Sequence, residues 1–413
     1  MGSAARASLI VSFAAVGGVL GTAAPARADA YQLTDIVTDD NANLTALGFA
    51  PATKEDSNFV NPWGVSFSPT TSPFWISDNG TGLASLYRAT GVQVTPPSPV
   101  TVAPPGGAPP GFTAAPTGQV NNQTSGFVVT EGGKSGAAAF IFATEDGTIS
   151  GWNPGVDPAN SVLLKDNSGG GNGAVYKGLA ISPGPNGLLY AANFRASAGA
   201  GTVEVYDQTM KLVNTITDST LPKGYAPFNV QVLNGKLYVT FALQDPSKNN
   251  HDDLSGAGHG FVDVFNLDGT GMKRLVSMGV LDSPWGLAIA PSGFGQVSGD
   301  LLAGNFGNGE INAFDPSNGT FLGTLDGANG NPIQIPGLWD ITIGNAGVGV
   351  DPNAIYFTAG LPAFTDPAVL EVDGVFGDLT LVPEPGCLAI LMTGLGGLLC
   401  LRRRRADARS AAS

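Results

Sequence analysis

The chain has 413 residues, 33 of them acidic and 19 basic, for a formal net charge of −14. Negative charge on that scale repels phosphate backbones and anionic lipid, which argues against a nucleic-acid-binding role. Both cysteines, Cys387 and Cys400, lie near the C-terminus, and His251 and His259 are the only histidines. The body therefore has no disulfide, no thiol nucleophile and little material for a Ser-His-Asp constellation.

Arg6 precedes an apolar stretch from Leu9 to Leu20, with small residues following at Ala26-Arg27-Ala28 and Ala28-Asp29-Ala30. A basic start, a short apolar run and a small-residue cleavage site predict a signal peptide over residues 1–28, set apart from the fold. Setting aside both ends removes Arg6, Arg27, Arg402 to Arg405 and Arg409, so the body is more acidic than the whole chain.

From Trp63 onward an apolar strand start recurs six times: Trp63-Gly64-Val65-Ser66-Phe67, Gly126-Phe127-Val128-Val129, Lys177-Gly178-Leu179-Ala180-Ile181, Phe228-Asn229-Val230-Gln231-Val232, Trp285-Gly286-Leu287-Ala288-Ile289 and Trp339-Asp340-Ile341-Thr342-Ile343. Each is followed by a Gly/Pro/Asn turn and a denser apolar strand, such as Leu188-Leu189-Tyr190-Ala191 or Asp300-Leu301-Leu302-Ala303. A third strand of alternating pattern then follows, as in Thr202-Val203-Glu204-Val205-Tyr206. Period-2 alternation bounded by turn residues marks strands, and helical periodicity is absent from the body. The repeat spacing of about 50 to 60 residues is that of one four-stranded propeller blade. One blade cannot cover both of its faces, so the repetition predicts an all-β, six-bladed β-propeller over residues 29–381. A β-sandwich pair would use similar strands but would not need the Trp-Gly-Leu-Ala-Ile phrase to recur in phase.

Two segments interrupt the repeat. Residues 96–116 are rich in proline and read as an extended, polyproline-like excursion between the first and second blades. Residues 244–260 are inserted between the second and third strands of blade four and carry both histidines with Asp245, Asp252 and Asp253. Imidazoles beside carboxylates could hold a divalent cation, but the spacing fits no defined site, and a solvated loop is the plainer expectation. The Asp-Gly and Asn-Gly pairs, Asn79-Gly80 and Asp146-Gly147 among them, are expected to be hairpin turns.

A propeller gathers one residue per blade around its axis. Asp78, Asn193 and Asn305 after the second strands, with Asn229 and Asp340 on the first strands, are the candidate axial ligands. Carboxylate and amide oxygens would suit Ca2+. No Gly-x-Ser-x-Gly elbow and no phosphate-loop Lys-Ser/Thr follows the glycine run at 169–171, so no catalytic residue is assigned.

The chain ends in Pro383-Glu384-Pro385, an apolar run from Cys387 to Leu401 and the cluster Arg402, Arg403, Arg404 and Arg405. An apolar helix of about 15 to 17 residues reaches the short end of what spans a bilayer, and the arginines would hold its end on the cytoplasmic side. Residues 382–413 resemble the PEP-CTERM sorting tail of exported bacterial proteins, which is presented to a membrane-embedded sorting peptidase of the exosortase type. An ordinary C-terminal anchor would give the same localisation without processing.

The segment from Ser283 to Asp315 is similar to a blade of the NHL-repeat propellers, and the segment from Lys177 to Asp207 is a second such match. Taken with the tail, the chain resembles an uncharacterised family of exported bacterial propellers, a family that implies a fold and no chemistry. Gluconolactonase-like propellers use an axial cation, yet this chain has Asn61-Pro62-Trp63-Gly64 where their first-blade glutamate ligand would stand. Two functions stay open at this point. The first is an exported cell-surface protein that binds a polysaccharide or protein of the extracellular matrix, or builds it. The second is a divalent-cation-dependent hydrolase or lactonase.

Overall fold

The computed structural model describes residues 29–383 except 70–72, 96–98, 170–172, 196–200, 346, 348 and 367–368. The candidate signal peptide lies outside the described residues, and so does the sorting motif from Glu384 onward, including Pro385 and Arg402 to Arg405.

Six antiparallel sheets form the six blades of a propeller. Blade one comprises Pro62–Ser66, Phe74–Asp78, Leu83–Tyr87 and Val100–Thr101. Blade two comprises Pro116–Asn121, Phe140–Thr144, Thr148–Trp152 and Val162–Asp166. Tyr176–Ile181, Leu189–Asn193, Thr202–Tyr206 and Leu212–Ile216 make blade three. Tyr225–Leu233, Lys236–Leu243, Gly260–Phe265 and Lys273–Ser277 make blade four. Blade five is Pro284–Ile289, Leu301–Asn305, Ile311–Phe314 and Phe321–Thr324. The sixth takes Leu338–Ile343, Ile355–Leu361 and Asp373–Leu381 from one end of the chain and Ala30–Thr38 from the other.

Two expectations need correction. Blade two begins at Pro116, not at Gly126: Phe127 and Val129 belong to a side hairpin, Val128–Glu131 with Lys134–Ala137. Phe127 and Val129 are buried while Val128 between them is 51% exposed, so a hairpin lying on a core shows the same alternation as a blade strand. The proline-rich stretch is likewise not one excursion, because it contains blade one's outer strand and ends in blade two's inner strand. One short helix, Asn41–Ala46, is also present, capped by Asp40, whose carboxylate accepts from the Ala42 and Asn43 N–H groups at 2.7 and 3.1 Å. Six residues are too few to register as periodicity.

The core follows the blades. There is one apolar cluster between each neighbouring pair, for instance Trp75, Phe140, Phe142 and Trp152 between blades one and two, and a further cluster on the axis. The recurring glycine of the repeat phrase is explained by how closely the inner strands meet. A Cβ on Gly64 would lie 2.7 Å from the Thr117 carbonyl, and one on Gly286 would lie 2.6 Å from the Trp339 carbonyl. Every inner strand also shifts register against its neighbour near this point. Side chains then tie blade to blade: Gln119 Nε2 donates to the Gly64 and Trp75 carbonyls, both at 2.7 Å, and Thr117 donates to the Tyr176 carbonyl at 2.8 Å.

Inner strands start at one end of the axis, where the loops between second and third strands also gather. We refer to that end as the mouth. Asp373–Leu381 runs away from it, and Ala30–Thr38 starts at the opposite end, where the Val382 N–H donates to the Ala30 carbonyl at 2.8 Å.

Candidate functional site

The residue that opens the inner-strand phrase faces the axis at the mouth. In three blades it is Trp63, Trp285 or Trp339, and these pack with Phe194, Phe228 and Phe306 into an aromatic plug. Trp339 stacks on Trp63 at 3.4 Å and on Phe306 at 4.1 Å, with Trp285 edge-on to both tryptophans. In blade three the same position holds Lys177, only 2% exposed, whose ammonium lies 5.0 Å over the Trp63 ring and 5.9 Å over Phe194.

A lysine in that place needs a partner, since an unpaired buried charge costs several kcal/mol. Glu145, at the turn after Phe140–Thr144, accepts from Lys177 Nζ, and Asp252 Oδ1 lies 3.8 Å away. Burial opposes the charged amine, but Glu145 and Asp252 more than offset it and hold the Lys177 pKa above the usual lysine value. Glu145 also accepts from Asn79 at 2.9 Å, Asn79 accepts from Asn61 at 3.2 Å, and Asn61 accepts from Trp339 Nε1 at 3.0 Å. The chain of bonds thus links blades six, one, two and three.

Blade four contributes through its insertion, which is a built loop. Asp245 caps the turn Pro246–Lys248, its N–H donates to the Asp252 carbonyl at 2.9 Å, and Gln244 reaches the Phe194 carbonyl at 2.6 Å. That architecture brings His251 Nδ1 to 2.7 Å from Asp252 Oδ1 and 3.9 Å from Glu145 Oε1. His259 turns away, bonding the Leu254 carbonyl at 2.7 Å. The hydrogen bond from His251, with Lys177 beside it, holds Asp252 down to about 2 against the effect of burial. Glu371, in the blade-six loop, is pushed the other way: burial first, then the charge of Glu145, raises it to about 8.

A cleft of about 570 Å³ opens above this cluster, lined by Gly106, Phe112, Glu145, Asp146, Arg195 and His251 among others. One wall is the proline-rich stretch, pinned by the Gly106 N–H to Asp166 and the Ala115 N–H to Asp146, both at 2.7 Å. The two interruptions of the repeat therefore face each other across one cavity. Non-glycine residues in the left-handed region concentrate at the same end: Asn61, Asn249, Asn250, Met278, Ser283 and Glu371. Such backbone strain tends to persist where it serves a site.

Ligand atoms of Glu145, His251 and Asp252 lie within 4.8 Å of one another, close enough to share an ion. The Lys177 ammonium already bonds Glu145 and stands near Asp252, so a second cation there would meet a like charge at close range. With one imidazole in the set, it is also not the all-oxygen cage that Ca2+ favours.

The five expected axial residues are all buried and sit in separate hydrogen-bond sets, while Asp78 Oδ1, Asn305 Oδ1 and Asp340 Oδ1 have no hydrogen-bond partner among the described residues. Asp78 accepts from Ser85 at 2.5 Å, Asn193 accepts from the Val175 N–H at 3.1 Å and donates to Glu204 at 2.9 Å, and Asn305 donates to the Val280 carbonyl at 2.8 Å. Asn229 donates to the Trp285 carbonyl at 2.9 Å, and Asp340 accepts from the Val65 N–H at 2.7 Å. The last two are ties between neighbouring blades. Neither Asp78 nor Asp340 belongs to a group of carboxylates and imidazoles able to share an ion among the described residues.

Sequence reasoning passed over Glu145, Lys177 and Glu371. The signal for Lys177 was present: in Lys177-Gly178-Leu179-Ala180-Ile181 a lysine stands in phase with the tryptophan of Trp285-Gly286-Leu287-Ala288-Ile289.

No family model matches the chain. It is 32% identical over 334 residues to the uncharacterized protein R648 of Acanthamoeba polyphaga mimivirus, an alignment covering 79% of this chain and 76% of that protein. A second uncharacterized protein of the same virus is 31% identical over 317 residues, covering 75% of this chain and 79% of its own length. The chain belongs to the family of these mimivirus proteins. Both relatives are viral, and neither bears on the bacterial source or on the tail expected from the sequence. Among solved structures, a luciferin-regenerating enzyme aligns with a TM-score of 0.48 and 13% identity, over 85% of this chain and 95% of that one. A Bacteroides thetaiotaomicron protein of unknown function also aligns at 0.48, with 11% identity, over 85% of this chain and 76% of that one.

Proposed function

We propose that this propeller is exported and binds a hydroxyl-rich, uncharged ligand, a saccharide unit of an extracellular polysaccharide, in the cleft at its mouth. The observation that carries this reading is the meeting of the proline-rich stretch and the blade-four insertion over Glu145, Lys177 and His251. Phe112, 41% exposed, offers an aromatic face for a sugar ring, and the carboxylates opposite offer acceptors for its hydroxyls. The acidic surface would disfavour anionic polymers.

Export rests on the leader-like start and on the tail, with Pro383, Glu384, Pro385 and Arg402 to Arg405 as the sorting motif for an exosortase-type peptidase. The topology supports display. Asp29 and Pro383 leave at the end opposite the mouth, so a tail held in a membrane would point the cleft away from it.

A hydrolytic reading draws on a different observation. His251 borders the cleft and is bonded to Asp252, and Asp252 and Glu371 are pushed to opposite acidities, as acid and base groups of one site are. Binding and hydrolysis are separated by retention of the purified protein on neutral dextran and cellulose against anionic alginate, alongside release of reducing sugar. The binding reading expects retention on a neutral polymer, loss of it in His251→Ala and Phe112→Ala, and no sugar release. Absence of retention on all three polymers would overturn it.

A further inference from the structure

Five blades are each built from one continuous stretch of chain, and the sixth is not. Its ladder between Ala30–Thr38 and Asp373–Leu381 closes the ring, with Thr34 opposite Asp378, Asp35 opposite Gly377, and a register shift between Asp35 and Val37. Four carboxyl groups sit along this seam. Asp35 is 3% exposed, and neither of its oxygens has a partner in hydrogen-bonding geometry, although the Ala50 N–H is turned toward it. The charge of Asp378 on the paired strand also acts on it, and Asp378 itself is bonded by the Thr34 hydroxyl and lies near Asp351. Asp39 accepts from the Gly374 N–H at 2.7 Å and faces Asp373, which also faces Asp40 and the Asn43 side chain. No lysine, arginine or histidine is among the described groups acting on these four, and Lys54, opposite Val37 on the flanking strand Lys54–Glu55, is not an exception.

We infer that the seam is a proton-held latch: the N-terminal strand grips Asp373–Leu381 while Asp35 and the Asp39–Asp373 pair carry protons, and loosens when they ionise. An ionised Asp35 would be a buried charge without compensation, and two facing carboxylates without a cation repel. Burial pushes Asp35 up to about 7, and burial with the neighbouring Asp373 pushes Asp39 up to about 8. The ordinary value is 3.8, so the folded seam keeps protons that the unfolded chain has shed. Its contribution is complete below about pH 4 and is lost as pH rises through about 7 to 8.

Hydrogen exchange on the full chain tests this, read as protection of the amides of residues 30–38 after correction for intrinsic exchange. Between about pH 5 and pH 9 protection there should fall by tenfold or more, because a proton held in the closed seam and shed in the open one changes the opening equilibrium about tenfold per pH unit. The outer strand of blade five, Phe321–Thr324, should change less. Asp35→Asn, neutral throughout, should lose less protection over this range than the native chain, since only the Asp39–Asp373 pair still ionises. Asp39→Asn provides the same test if that variant does not fold. Protection of residues 30–38 that is flat with pH in the native chain, or a fall of native size in both variants, would overturn the latch.

Discussion

The mouth and the closing seam both crowd carboxyl groups together, and they reach opposite states. At the mouth Lys177 sits among Glu145 and Asp252, and Asp252 is held down to about 2. Along the seam no cation takes part, and Asp35 and Asp39 rise to about 7 and 8. The His251 hydrogen bond and one buried ammonium, placed where three other blades carry tryptophan, make the difference. They keep the mouth charged near neutrality, as a polar ligand site requires, while the seam relies on protons. Glu371 shows how local the effect is, since it lies in the mouth near Lys177 and still rises to about 8 under burial and the charge of Glu145.

The comparison breaks most directly if the lysine is removed. Lys177→Met should cost about 3 to 5 kcal/mol at neutral pH, because it strands the largely buried Glu145 carboxylate. The loss should shrink toward acid pH, as the stranded group takes up a proton. Denaturant unfolding across pH measures both, and a cost under about 1 kcal/mol would show that the pair is not buried in solution. Trp285→Ala, whose indole N–H donates to the Lys177 carbonyl at 3.2 Å, should cost about 3 to 4 kcal/mol as a core truncation and should show little pH dependence.

At the seam the sign reverses. Asp35→Asn should stabilise the protein near pH 8 by roughly 1 to 3 kcal/mol and leave it nearly unchanged near pH 4. A destabilisation at both values would mean that the Asp35 carboxylate has a partner in solution. The smallest effect belongs to Glu371→Gln at acid pH: near pH 4 the native chain holds this proton folded or unfolded, and the variant should shift stability by no more than about 0.5 kcal/mol. As pH rises from about 4.5 toward 8 the variant should become increasingly the more stable of the two, levelling off above that, because the unfolded native chain sheds the Glu371 proton first.

The repeat made most of the ring legible. Trp63, Lys177, Phe228, Trp285 and Trp339 each begin a phrase that the fold uses as an inner strand. Blade two was misplaced because Thr117-Gly118-Gln119 carries no aromatic signal and follows a run of prolines, while the side hairpin imitates a strand start. The closing strand Ala30–Thr38 was hidden for another reason: it pairs with residues over three hundred positions away, and no local pattern reports such a partner. At the mouth, His251 and Asp252 were visible as residue types, but their convergence with Glu145 depends on three blades meeting. Of the expected axial residues, Asn229 and Asp340 also tie neighbouring inner strands together, a use that only the close packing of the blades reveals.

The central claim, that the mouth is a saccharide site, is tested most directly by retention of the purified protein on a neutral polysaccharide, compared with its His251→Ala and Asp35→Asn variants. The account predicts retention of the native chain and of Asp35→Asn, with loss in His251→Ala. Equal retention of all three, or retention of none, would contradict it.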